Sequence, residues 1–518
     1  MRPAIAITLA IAAYECAGSS GDRADMYTVG TVALTTTSLP SWSAPARCAR
    51  GSAEGLRVAE VVSALSHALD LSTGQPIGHS VRTCILGMRI AAETDLPIQA
   101  KNDLYYALLL KDCGCSGNAS KVFHALGSDD LKAKRNVKTT DWTRVGWESL
   151  QYALSHVAPG KPFLERSRKL FALALNQRRH AKETTKIRCE RGATLARLMG
   201  LSSTTADGIL SLDEHWDGSG NPDGLRRTEI SILSRIMLLA QTLEVFLASQ
   251  GGRAALEVAK SRSKKWFDPE LVRAAESLAA RGKLWADIAG PEAFTVSLEL
   301  EPLQKTMENG DVTLDSICAA FANIVDAKSP FTFNHSNGVA NAAVAIARTL
   351  GLSRERTLFV RHAALLHDLG KLGVSNEILE KPGKPTPDEW AILRLHPFYT
   401  WKILQGISTF EEMSEVAASH HEKLDGKGYF RGLTGEQLTL DSRILAVADI
   451  FDALSAKRPY RDALPLERVF EIMRQEAPHA IDAMCLQALE ESGADGDQTF
   501  IELKKLSEQL APHQSQSV

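Results

Sequence analysis

Val360-Arg361-His362-Ala363-Ala364-Leu365-Leu366-His367-Asp368-Leu369-Gly370-Lys371 is the stretch from which the rest of the chain can be read. Its apolar residues, Ala363 to Leu366 and Leu369, suit a buried helix that breaks at Gly370. A His-Asp pair inside such a run is costly to desolvate unless something compensates its charge. A cation held between the two side chains would do so. Adjacent helical residues point about 100° apart, so His367 and Asp368 can serve different metals or different faces of one site. His362, one and a half turns earlier, reads as structural.

Upstream, Asn334 leads to His335-Ser336, and the interval from His335 to Asp368 is 368 − 335 = 33 positions. An earlier stretch repeats this: a turn at Ser72 to Gly78 leads to His79-Ser80, and 112 − 79 is also 33. Asp217-Gly218-Ser219-Gly220 parallels Asp425-Gly426-Lys427-Gly428, and Asp217 to Gln241 matches Asp425 to Asp449 at 24 positions each. Two matched intervals on matched landmarks argue for internal duplication. The first copy has lost its polar set. Lys111 stands for His367, Cys189 stands at about the place of His396, Leu212 and Asp213 for His420 and His421, and Gln241 for Asp449. A charged lysine cannot be a ligand and glutamine is a poor one. The expectation is a copy that kept the fold and lost the metal site.

Helical spacing begins after Gly55 and strand-type alternation is rare, so the fold class expected is mainly α, with two tandem helical domains of one type, the N-terminal one degenerate. The division expected is 1–54 a disordered or leader segment, 55–250 the degenerate domain, 251–312 a helical linker, 313–509 the intact domain and 510–518 a tail. Helices of the intact copy are expected near 314–327, 336–350, 354–368, 387–394, 397–405, 409–420, 441–456 and 466–474. Phe294 to Leu300 alternates and reads as a short strand or extended linker. The first copy's extra material, around Ser120 to Pro159 with Trp142 and Trp147, reads as a surface helical insertion.

A net charge of −3 gives no global basic excess, which argues against a nucleic-acid polymer or an anionic membrane as the main partner. The eight scattered cysteines, with Cys113-Gly114-Cys115 too close for a zinc pair, read as reduced thiols in a cytoplasmic protein. The apolar run Ala4 to Tyr14 resembles a short signal-type segment and is too short to cross a bilayer. No membrane span is expected.

The second copy brings together His335, His367, Asp368, His396, His420, His421 and Asp449, which include five of the chain's 14 histidines. Imidazoles and carboxylates without a thiolate suit iron, manganese or zinc, and a carboxylate such as Asp368 can bridge two ions. Two such ions can share a hydroxide and clamp a phosphodiester displacement. Lys371 could neutralise a phosphoryl oxygen, and Arg458 and Arg461 could hold others.

The text His367-Asp368-Leu369-Gly370-Lys371, His396-Pro397, His420-His421-Glu422-Lys423-Leu424-Asp425-Gly426-Lys427-Gly428-Tyr429-Phe430, Asp449 with Asp452-Ala453-Leu454, and Arg458-Pro459-Tyr460-Arg461 resembles the HD-GYP phosphodiesterases within the HD-domain phosphohydrolases. The resemblance covers about 190 residues of the second copy, and the first more weakly. It implies hydrolysis of cyclic di-GMP, to the linear dinucleotide or on to GMP, by a metal-bridged hydroxide. The seven residues above would be metal ligands, Asp368 and Lys371 catalytic, and Lys371, Arg458 and Arg461 substrate contacts. The implied cofactor is two divalent ions, iron or manganese. Phe430 replaces the final proline of Gly-Tyr-Pro, which alters a loop and removes no chemistry. Phe331 stands where some members carry a third-metal glutamate, which favours a binuclear site. Diguanylate cyclases, other signalling proteins and a second copy of the chain are candidate partners. The competing readings are an HD phosphohydrolase for another nucleotide, cyclic GMP-AMP included, and a signalling scaffold acting through the degenerate copy.

Overall fold

A computed structural model describes residues 56–140, 147–159, 161–290, 292–307, 312–332, 334–455 and 464–494. The expected leader and tail, Trp142, and Arg458 and Arg461 lie outside the described residues. Among the described residues there are helices and no strands.

The first half opens with α1 (Val58–Ser72), α2 (His79–Ala92) and α3 (Ile98–Leu110). An insertion follows, with α4 (Ala119–Leu126), α5 (Asp130–Val137), α6 (Trp147–His156) and the start of the long α7 (Phe163–Leu198). Then come α8 (Ser203–Leu210), α9 (Ile232–Gln250), α10 (Gly252–Ser261), α11 (Pro269–Ala280) and α12 (Ala293–Glu299). The second half contains α13 (Leu314–Asp326), α14 (His335–Thr349), α15 (Arg354–Leu366), a 3₁₀ turn (Leu369–Gly373), α16 (Asn376–Leu379), α17 (Pro387–Leu393), α18 (His396–Leu404), α19 (Glu411–Ala418), α20 (Leu440–Ser455), α21 (Leu466–Glu476) and α22 (Ala483–Ala494).

The duplication survives at the level of helix ends. A shift of 335 − 79 = 256 carries α2 and α3 onto the starts of α14 and α15. A shift of 411 − 203 = 208 carries α8 onto α19 and the start of α9 onto that of α20. The two shifts differ by 256 − 208 = 48 residues, which is the size of the insertion. In each half the helix that begins with the histidine packs against its successor and against the late apolar helix: α2 on α3 and α9, α14 on α15 and α20.

The short strand or extended linker expected at Phe294 to Leu300 is instead the helix α12. Phe294, Ser297 and Leu298, spaced i, i+3, i+4, are buried against α1 and α2, so burial on one helical face outweighs a short alternation. The segment expected as a spacer also behaves differently. Ala255, Ala259, Leu271, Val272 and Ala275 of α10 and α11 enter the first half's core beside α9 and α2.

The buried apolar residues of both halves form one continuous cluster. α1 packs on the 3₁₀ turn that carries Lys371 and on α18. Polar links accompany this contact: Glu60 accepts from the Ser408 N–H at 2.7 Å, and Asp130 accepts from the Asn376 N–H at 2.8 Å. α9 is long and apolar enough to cross a membrane, but 72% of that stretch is buried inside the protein, as befits a core helix.

Candidate metal centre

The site is built at helix ends. His335 opens α14, His367 and Asp368 close α15, and His396 opens α18. His420 and His421 follow α19, and Asp449 lies in the middle of α20. Close approach requires a glycine at Gly370: a Cβ there would fall 2.0 Å from the His396 carbonyl oxygen. Thr400 fastens the same junction, accepting from the Gly370 N–H at 3.0 Å and donating to the His367 carbonyl at 2.8 Å.

The side chains converge. His335 Nε2 is 3.2 Å from Asp449 Oδ1 and 3.6 Å from Asp368 Oδ2. His367 Nε2 is 3.3 Å from Asp368 Oδ2; His396 and His420 Nε2 approach Asp368 Oδ1 at 3.4 and 3.6 Å. His421 Nδ1 is 3.8 Å from Asp449 Oδ2. Asp368 is therefore central, with one oxygen toward each group of imidazoles. Three sets of potential ligand atoms lie within 4.8 Å of one another: His396-His420-His421, His335-His367-Asp368 and His367-His420-Asp449.

Tautomers follow from the backbone. His367, His396 and His420 each donate Nδ1–H at 2.7 Å to the carbonyl three residues back, on Ala364, Leu393 and Ala417. A neutral imidazole has one donor and one acceptor, so each Nε2 keeps its lone pair for the centre. His396 and His420 then face each other with lone pairs at 3.1 Å. Such an arrangement is repulsive unless a cation or proton lies at that point. His367 Nε2 and Asp368 Oδ1 are buried without a hydrogen-bond partner among the described residues, an arrangement that costs free energy in an apolar interior. Burial, aided by neighbouring imidazoles, holds His396 and His420 well below the usual imidazole range, and it lowers His421 to about 4. Burial works against the charge of Asp368, but His367 and Lys371 outweigh it and hold the carboxyl well below its ordinary value. These shifts favour neutral His396, His420 and His421 and an ionised Asp368, the protonation states that bind divalent metal.

A family profile for the HD domain matches residues 172–271 and 319–484, so it touches both halves. A 3′3′-cGAMP-specific phosphodiesterase of Vibrio cholerae is 40% identical over 437 residues, covering 84% of this chain and 94% of that protein. The chain belongs to the HD-domain family. A crystal structure of a cyclic GMP-AMP-specific phosphodiesterase of the same organism covers 85% of this chain and 98% of its own, with 35% identity and a TM-score of 0.58. A cyclic di-GMP phosphodiesterase of Thermotoga maritima is 32% identical over 213 residues, 40% of this chain and 58% of that protein. The HD domain that runs through the second half carries the cluster that can hold metal.

All seven expected ligand positions meet in this HD domain, and Lys371 joins them, with Nζ 2.5 Å from Asp368 Oδ2. His362 stands apart, 3.3 Å from Asp315, in the structural role expected. Phe331 supplies no ligand atom. Phe430 packs beside Phe398 and Trp401, with ring centroids 5.8 and 6.3 Å away.

Two neighbours of the cluster have no role in the sequence reading: Asp452, present there only as motif text, and Arg394. Asp452 accepts from His335 Nδ1–H at 2.7 Å. It follows Asp449 by three residues, the spacing that puts two carboxylates on one helical face, and this was the available signal. Gly338 lets it reach, since a Cβ there would collide with Asp452 Oδ1. Arg394 lies over the Tyr429 ring at 4.8 Å, and Tyr429 stacks on His421 with centroids 4.7 Å apart, at the edge of the cluster. Nothing in the local pattern announces Arg394.

The first half shows the same positions with other chemistry. His79 faces Asp112 at 3.8 Å and gives its Nδ1–H to Glu244, the counterpart of Asp452. Lys111 places Nζ 3.0 Å from His79 Nε2 and is paired with Asp112. Lys138, at the end of α5, lies 3.1 and 3.2 Å from the two Asp112 oxygens. One assignment is corrected. The counterpart of His396 is Arg188 and not Cys189: a Cβ on Gly114 would meet the Arg188 carbonyl, as one on Gly370 meets that of His396. Arg188 pairs with Asp213, the counterpart of His421. Burial opposes the charge on Asp112, but Lys111 and Lys138 outweigh it, so the carboxyl stays well below its ordinary value. This arrangement does not fit a metal, because ammonium and guanidinium groups occupy the ligand positions.

Proposed function

We propose that the chain is a metal-dependent phosphodiesterase that opens a cyclic dinucleotide, with the seven second-half residues as ligands of two divalent ions, iron or manganese. The observation that carries this reading is the buried pair of Nε2 lone pairs on His396 and His420, 3.1 Å apart beside the unsatisfied Asp368 Oδ1. Bound divalent ions would act as Lewis acids on the phosphate and supply a nucleophile at neutral pH. The chain's own residues do the rest. Carbonyls at Ala364, Leu393 and Ala417 fix the ligand rings, and Asp452 fixes His335. Lys371, now resting on Asp368, is one helical turn from it and neutralises a non-bridging oxygen of the scissile phosphate. Arg458 and Arg461 hold further phosphate oxygens. Cleavage of one phosphodiester bond releases a linear dinucleotide, and cleavage of the second gives mononucleotides.

The favoured substrate is 3′3′-cyclic GMP-AMP, supported by the relative whose similarity spans both halves and 94% of its length. Cyclic di-GMP is the second reading, supported by the motif text and by the Thermotoga maritima relative. The test is a hydrolysis panel of 3′3′-cyclic GMP-AMP, cyclic di-GMP and cyclic di-AMP with Mn²⁺ or Fe²⁺, before and after chelation. Metal-dependent release of linear product from the first compound supports the reading. Equal turnover of all three, or activity that survives chelation, sinks it.

A further inference from the structure

The first half keeps a cleft that the proposed reaction does not use. It encloses about 690 Å³ between α5, the last turns of α9 and the turn ahead of His79. Duplication explains its position. Val245, Ala248 and Gln250 form one wall, directly after Glu244, the partner of His79. Gln250 shifted by 208 is Arg458, the residue assigned above to substrate phosphate. Gln75 and Pro76 line the cleft four and three residues ahead of His79, as Phe331 and Thr332 precede His335. The cleft therefore lies beside the His79–Glu244 pair, the first half's counterpart of His335 and Asp452.

The opposite wall comes from the insertion. Lys132, Arg135, Asn136 and Thr139 line the cleft and are spaced i, i+3, i+4, i+7, a single face along α5 and its end. Asp129 is occupied in capping that helix through the Leu131 N–H at 3.0 Å and in pairing with Lys132 at 3.5 Å. Arg135 has no ion-pair partner among the described residues. Lys138, from the same helix end, turns inward to Asp112. The charged groups that line the cleft are Lys132 and Arg135 with Asp129 and Glu377; Asp129 is engaged as above, which leaves Arg135 as the cation that no carboxylate neutralises among the described residues. Fixed cations can hold a phosphate and generate no nucleophile. The volume falls in the range of small-molecule sites, roughly 300–1,000 Å³.

We infer that this cleft binds a nucleotide with a terminal phosphate and does not hydrolyse it. The choice of nucleotide rests on the reading of the second half as a cyclic-dinucleotide phosphodiesterase, whose products carry such a phosphate. A terminal phosphate bears more charge near neutrality than the diester of the substrate, so Lys132 and Arg135 favour product over substrate. Glu377 of the second half forms part of the rim, so the site is completed across the interface between halves.

Isothermal titration of the chelator-treated, full-length chain with GMP tests this, because chelation silences the second half's centre. One equivalent is expected to bind. Lys132→Glu combined with Arg135→Glu weakens binding at least tenfold. Ser249→Trp, which fills the cleft without changing its charge, does the same. Lys371→Ala leaves binding unchanged. Binding that persists in both cleft variants, or that disappears in Lys371→Ala, places the nucleotide in the second half and overturns the proposal. So does the absence of binding to the chelated wild type. The hydrolysis panel on the metal-loaded wild type is scored separately: if no dinucleotide is turned over while GMP still binds, the catalytic reading fails and the cleft stands.

Discussion

Lys111 and His367 occupy the same place in the two halves, each with a fully buried side chain beside a buried aspartate. In the first half the aspartate's countercharge is built in: Lys111 and Lys138 surround Asp112, and Arg188 meets Asp213. In the second half, Lys371 is the one cation paired with Asp368 among the described residues, and lone pairs on His367, His396 and His420 converge beside that carboxylate. Both halves bury a carboxylate at the centre of one helical framework, and burial demands compensation. An attached cation satisfies the demand permanently. An exchangeable one satisfies it while leaving open coordination for substrate. The difference between the two halves' centres is thus the origin of a few positive charges, on helices that start at matching positions.

The strongest way to break this comparison is to remove the central carboxylate from each half. Asp368→Ala is expected to reduce hydrolysis to background and to lower metal content by elemental analysis. Asp112→Ala should leave hydrolysis per folded molecule within about twofold, but it strands buried lysines. Breaking such a pair costs ~3–5 kcal/mol, visible as a lower denaturant midpoint. A large loss of turnover in folded Asp112→Ala would make the first half catalytic. Next in size, Asp452→Asn replaces the carboxylate that accepts from His335 with a neutral amide and should lower metal affinity or turnover about 10–100-fold, as mutation of a ligand's hydrogen-bond partner does. The parallel change Glu244→Gln should alter stability alone. If both variants change turnover equally, the halves are not chemically distinct.

A smaller effect is expected where the halves meet. Asp130, fully buried on the insertion, accepts from Asn376 at 2.8 Å and lies 3.7 Å from Lys328. These residues belong to the two second-half loops that lead from Lys371 and toward His335. Asp130→Ala should reduce kcat several-fold with little change in metal content. Unchanged kcat would confine the insertion to the first half. The smallest effect concerns pH. Burial lowers His67 of the first half and His421 of the second to about 4. Their unfolded values are higher, near 6.5, so the unfolded chain binds more protons between these limits. Stability of the metal-free protein should be full above about pH 6.5 and fall toward pH 4, by at most ~1.4 kcal/mol per pH unit for each imidazole. Metal should shift the share due to His421 and leave that of His67, a difference that thermal melts of His67→Gln would separate.

Much of the second half was legible because its helices carry clear apolar spacing and caps. Helix starts expected at 314, 354, 387 and 466 coincide with α13, α15, α17 and α21, and Thr313, Ser353 and Thr386 cap the first three. The misreadings have specific causes. Phe294 to Leu300 is short enough for two periodicities to fit, and packing on α1 and α2 selected the helix. Counting forward loses register through the insertion, where 188 − 114 = 74 positions separate the first half's landmarks against 396 − 370 = 26 in the second; counting back 420 − 396 = 24 positions from Leu212 gives Arg188, so Cys189 was off by one. The contact of Gly114 with the Arg188 carbonyl agrees with that count.

By itself the sequence determined the helical class, the duplication and the set of seven ligand-type residues, because periodicity, spacing and residue chemistry are local or countable. Tertiary structure alone decided that Nε2 lone pairs face one another, that Arg188 pairs with Asp213, and that the halves share one core. Those facts depend on side chains up to 449 − 335 = 114 residues apart meeting within a few ångströms. No spacing rule along the chain encodes that distance; packing does.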